Sequence, residues 1–73
     1  MIAEKQVRSK YDEDHDILYI DVGEPCAAYS EEIDNGVFLR INPQNDKPVG
    51  MTILTYKNKN LKNVRQKYPS FFR

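Results

Sequence analysis

Three aspartates at alternate positions, Asp12, Asp14 and Asp16, are the first residues whose spacing suggests chemistry. They match the opening ligand positions of a calcium-binding loop, where carboxylate oxygens surround a hard cation. The match then fails. Ile17 stands where the sharp-turn glycine belongs, and Gly23 where the bidentate glutamate belongs. A structural turn explains the aspartates better, and no metal is expected. His15, the one histidine, needs a nucleophile or a carboxylate partner held in a cleft before it can act as a base. Ser30 and Cys26 qualify by type, but nothing in their spacing pairs them with it. Cys26 follows Pro25 with no neighbouring base to lower its pKa. Glu31 and Glu32 are adjacent on an expected strand and so point to opposite faces, which rules out a paired acid and base. The three glycines stand apart and form no phosphate-cradling loop. No catalytic residue, metal or cofactor is expected, and the reading is non-enzymatic.

The basic C-terminal segment carries the one competing signal. Residues 56–73 hold six basic side chains and no acidic one, while residues 1–55 hold eleven acidic against five basic, so the halves carry +6 and −6. Such asymmetry points to a partner, or to the tail docking on its own body. Lys57, Lys59, Lys62, Arg65 and Lys67, interleaved with aromatics, have the types needed to hold phosphates and stack bases. Three readings stay open: a helix with a solvated polar face drawn to the acidic body, a protein-binding arm, and a nucleic-acid contact. The first leads. Phe71 and Phe72 at the end suggest a docked tail, in its own subunit or a neighbour's. Leu61, Val64, Tyr68, Phe71 and Phe72 are therefore the candidate partner or intersubunit contacts.

The elements that must position these residues follow from periodicity. Ile17–Val22 is the strongest strand, apolar on both faces and expected to be central. Lys5–Tyr11 reads as an edge strand, Ala27–Ile33 as a weaker one, and Val37–Ile41 and Val49–Tyr56 as the remainder. Asn35-Gly36 marks a hairpin in which both residues accept positive φ. Connections are too short for parallel crossovers. Leu61, Val64 and Tyr68 then recur with helical period, with Asn58 or Asn60 as cap and Pro69 as terminator. The expected fold is α+β: an antiparallel β-meander of four to five strands with one C-terminal helix packed on a face. Residues 1–73 form a single domain, the sheet over 5–56 and the basic helix and tail over 58–73. The helix stripe is expected to dock on the face bearing Ile17, Tyr19, Phe38 and Leu54.

The order of Tyr11-Asp12, Asp16-Ile17-Leu18-Tyr19-Ile20, Ser30-Glu31-Glu32, Gly36-Val37 and Val49–Leu54 resembles the family of small prokaryotic proteins called domain of unknown function 2283. The resemblance covers about residues 5–57. Asp34-Asn35-Gly36 replaces a Pro-Gly turn common in that family. It supplies no catalytic residues and implies an antitoxin-like role beside a small toxic protein; the acidic turn and strand residues of this chain suit a basic one.

A chain of this size rarely draws more than about 3–5 kcal/mol from one core. With a single cysteine it lacks an internal disulfide, so a homodimer is expected. The N-terminus has no signal-peptide pattern and no run is apolar enough to span a bilayer. The expectation is a cytoplasmic interaction module without membrane contact, with nucleic-acid binding through the basic segment as the alternative.

Overall fold

The computed structural model describes residues 6–23 and 26–72. The expected strand start at Lys5, the break at Glu24-Pro25 and the terminal Arg73 lie outside the described residues. Five strands form one antiparallel sheet: β1 (Val7–Asp12), β2 (Ile17–Val22), β3 (Tyr29–Asp34), β4 (Val37–Asn42) and β5 (Lys47–Leu54). Their order across the sheet is β1-β2-β5-β4-β3. Every neighbour pair is antiparallel. Two hairpin units, β1-β2 and β3-β4-β5, are thus joined by pairing the last strand with the second. β5, not β2, is the middle strand.

Turn chemistry fixes the registers. At the β3-β4 hairpin only Gly36 adopts positive φ (73°), and Asn35 does not. The ladder slips by one residue between Glu32 and Asp34, as expected where a left-handed glycine closes a bulged turn rather than a two-residue one. A second bulge between Arg40 and Ile41 brings Pro48 opposite Ile41. β5 pairs with β2 only from Gly50 onward, so Pro48 lies beyond that ladder and its missing N–H costs nothing there.

The chain leaves β5 through Thr55, a β-branched residue at φ 52°, into a 3-10 turn over Tyr56–Asn58. Helix α1 (Lys62–Lys67) follows, then a second 3-10 turn over Pro69–Phe72. The N-cap position falls on Leu61, which makes no side-chain cap bond, and not on the expected Asn58 or Asn60; Asn60, one residue earlier, accepts from the Lys62 N–H at 3.1 Å.

The core lies on one face only. Ile20, Val37, Leu39, Ile41, Met51 and Ile53 from the sheet are buried against Leu61, Val64 and Phe71 from the tail. This corrects the expected docking of the helix on Ile17, Tyr19, Phe38 and Leu54. The tail covers the opposite face, because that face is aliphatic across β2, β5 and β4. The expected one carries Asp21 and Arg40 among its central residues.

Candidate interaction surface

Strand alternation assembles the uncovered face. β2 contributes Ile17, Tyr19 and Asp21, β5 contributes Thr52 and Leu54, and β4 contributes Phe38 and Arg40. Lys10 flanks them from β1, and Ser30 and Glu32 from β3. Tyr19 is 38% exposed although it sits next to the central strand. A broad, open depression of about 1090 Å³ runs along this face, lined by Lys10, Tyr19, Asp21, Arg40 and Thr52 among others.

An ion pair on this face crosses the middle strand. Arg40 Nη1 donates to Asp21 Oδ1 at 2.8 Å, and both residues are register partners of Gly50. A Cβ at Gly50 would lie 2.9 Å from the Ile20 carbonyl, 3.0 Å from Asp21 Oδ1 and 3.4 Å from Arg40 Nη1. Glycine is what lets the pair close over the strand. Both partners are over a third exposed, so the pair contributes at most about 1 kcal/mol. Its value lies in orienting two charges on a flat surface.

The aspartate turn is turned inward on its own chain. Asp12 Oδ1 accepts from the N–H groups of Asp14 and His15, and Asp12 Oδ2 lies 2.9 Å from His15 Nδ1. The His15 side-chain bond, aided by the backbone donors, holds the Asp12 carboxyl below its ordinary range. Asp16, at φ 54°, accepts from Tyr11 Oη at 2.6 Å and from the Lys57 N–H at 3.2 Å. The Asp16 hydrogen bond, then loss of water and the neighbouring carboxylates, push the Tyr11 phenol up to about 12. These oxygens knit the β1-β2 turn to the exit of β5. Among the described residues, no group of three His, Cys, Asp or Glu side chains is placed to hold a metal. Cys26 and Ser30 are exposed, and the structure describes no contact of either with His15.

The predicted contact residues divide. Leu61, Val64 and Phe71 are buried in the chain's own core, with Tyr68 and Phe72 packed half-buried against it. The folded subunit therefore uses these five side chains internally, and the first three present no surface to a partner. The basic residues do not form one line. Lys57, Lys59 and Arg65 border a small depression of about 260 Å³, while Lys62 and Lys67 are exposed on α1. Lys59 Nζ donates to the Asn35 carbonyl at 2.7 Å, and the Arg65 guanidinium lies 4.8 Å from the Phe72 ring centroid. Among the described residues no tail cation pairs with a body carboxylate. The tail is held by the apolar contacts of Leu61, Val64 and Phe71, with Lys59 bonded to the Asn35 carbonyl and the Lys57 N–H to Asp16.

The model of a family described as protein of unknown function (DUF2283) matches residues 8–57. The chain belongs to that family. The matched DUF2283 segment contains the sheet from Arg8 onward and ends inside the first 3-10 turn, before α1. No curated protein and no solved structure matches the chain. No helix among the described residues is long and apolar enough to cross a membrane.

Residue-type reasoning missed Asp21, Arg40 and Gly50 as a unit. The available signals were a lone aspartate in an apolar strand, an arginine in phase with Phe38, and an isolated strand glycine, which often marks a close approach.

Proposed function

We propose that this DUF2283 protein is a non-catalytic protein-interaction module. The observation that carries the reading is the one-sided cover of its sheet. A face displaying Tyr19, Phe38 and an oriented Asp21–Arg40 pair offers contact area and charge. Among the described residues, its hydroxyls on Tyr19, Ser30 and Thr52 make no side-chain hydrogen bond to a histidine or carboxylate. Aromatic side chains beside an arginine are the types that concentrate binding energy at protein interfaces.

The finer reading is an antitoxin-like pairing with a small basic protein. What supports it is β3, an edge strand whose Glu31, Glu32 and Asp34 are all exposed. An unpaired edge accepts an added strand, and its carboxylates favour a basic one. The test is to look for a small basic protein encoded by a neighbouring gene and to titrate the chain against it by calorimetry. Saturable binding, weakened by salt and by Glu31→Lys with Asp34→Lys, is expected. Absence of that binding would sink the pairing. Salt-steep binding of single-stranded DNA, lost on Lys62→Ala with Lys67→Ala, would put the nucleic-acid reading in its place.

A further inference from the structure

The registers place two rows of side chains across the open face. One row runs Glu32, Phe38, Thr52, Tyr19, Lys10 from the β3 edge to the β1 edge. The next runs Ser30, Arg40, Gly50, Asp21, Arg8. Each row has β5 at its centre; the first carries opposite charges at its two edges, and the second carries them on β4 and β2, with Ser30 and Arg8 unmatched at its ends. A carboxylate on one edge balances an ammonium on the other, and a guanidinium on β4 balances a carboxylate on β2.

From this arrangement we infer that a second copy of the chain occupies the open face, packed sheet to sheet about a two-fold axis running along β5. This rests on reading that face as an interaction surface, and it adds the occupant. Rotation about such an axis exchanges the two sides of every row. Glu32 then faces Lys10 of the second copy, Arg40 faces its Asp21, and Phe38 faces its Tyr19. Thr52 meets its own image on the axis. An isologous interface requires this kind of self-complementarity. A two-fold axis across the strands fails the requirement: laid along the first row it sets Glu32 against Glu32 and Lys10 against Lys10, and laid between the rows it sets Lys10 against Arg8. Charge therefore selects one of the two ways in which the sheets can be stacked.

Size and shape agree. Five strands spaced about 4.8 Å apart and about six residues long present a face of roughly 24 by 20 Å. Two such faces bury close to the ~1,000 Å² that a specific interface requires. Side chains of this length fill the ~10 Å gap between stacked sheets. Among the described residues neither Lys10 nor Glu32 takes part in an ion pair within its own chain, and the Glu32 carboxylate is engaged by the Gly36 N–H at 3.3 Å.

The test is light scattering and sedimentation on the full chain over a concentration series. The wild-type chain is expected to dimerise in the micromolar range. Lys10→Glu and Glu32→Lys should each weaken self-association by about tenfold or more, since like charges then face one another. An equimolar mixture of the two variants should recover the dimer, because every facing pair is again opposite in sign. Glu32 Oε2 also accepts from the Gly36 N–H at 3.3 Å, so circular dichroism checks that Glu32→Lys keeps the fold. Should it not, Tyr19→Ala gives the second reading, with dimerisation lost and the monomer folded. A wild-type chain that stays monomeric overturns the inference, as does a mixture no better associated than either variant alone. A monomer that still binds the basic protein overturns the second copy only. A dimer that binds no basic protein overturns only the antitoxin-like pairing.

Discussion

The two faces of this sheet alternate residue by residue along the same five strands, yet the tail covers only one. The covered face presents Ile20, Val37, Leu39, Ile41, Met51 and Ile53, all buried. The bare face has a similar supply of large apolar groups in Ile17, Tyr19, Phe38 and Leu54, but Asp21 and Arg40 sit in its middle columns. Placing the apolar stripe of a helix over that ion pair would strip water from two charges and bring neither a new partner, a cost their mutual attraction does not reliably offset, whereas a second copy sets an opposite charge against each. The number of apolar side chains does not choose the covered face. The polarity of the central positions does.

The largest expected effect tests that division directly. Phe71 is 6% exposed in the core, and Phe71→Ala should cost about 3–5 kcal/mol. That is comparable with the whole stability expected of so small a domain. Tyr19→Ala, on the bare face, should cost under ~1 kcal/mol in the monomer, as surface substitutions generally do. Urea unfolding at dilute concentration compares the two. Equal losses would mean that both faces are packed, and the contrast would collapse.

Within the bare face, the crossing over β5 can be sharpened. Gly50→Ala brings a methyl group to 2.9 Å from the Ile20 carbonyl, a backbone atom that cannot swing aside. The expected cost is about 1–3 kcal/mol, the usual range for overpacking. Arg40→Ala removes the same ion pair without the clash and should cost only about 0–1 kcal/mol. Finding Arg40→Ala the more damaging would show that the charge pair, rather than the close approach, is what Gly50 serves.

Much of this was legible beforehand, for identifiable reasons. β2 was bounded correctly at Ile17 and Val22 because both ends carry breaking residues, and the period change at Leu61 and Val64 announced the helix. The choice of face failed because aromatic and aliphatic residues were weighed alike, without the two in-phase charges. β5 became the middle strand through long-range pairing with β2, which no local pattern encodes. Asn35-Gly36 was read as a hairpin correctly, but the backbone placed only its glycine at positive φ. The attraction expected between basic tail and acidic body takes the form, among the described residues, of the Asp16 carboxylate accepting from the Lys57 backbone N–H, not of an ion pair.

That carboxylate marks the seam where the chain leaves the sheet for the covered face, and it gives the smallest effect. Tyr11 Oη donates to Asp16 Oδ1, and its phenol is raised from about 10 to about 12. A raised pKa means that the folded state favours the protonated phenol. The contribution is therefore complete below about pH 10 and disappears as pH rises towards about 12. Tyr11→Phe should lower stability slightly at neutral pH and flatten the alkaline decline. It should also remove one phenolate's worth of the absorbance gained near pH 12. Asp16→Asn keeps an acceptor oxygen but removes the charge, and it should return the Tyr11 titration toward its ordinary value. An alkaline profile identical in wild type and Tyr11→Phe would show that the bond at the seam does not couple the two faces.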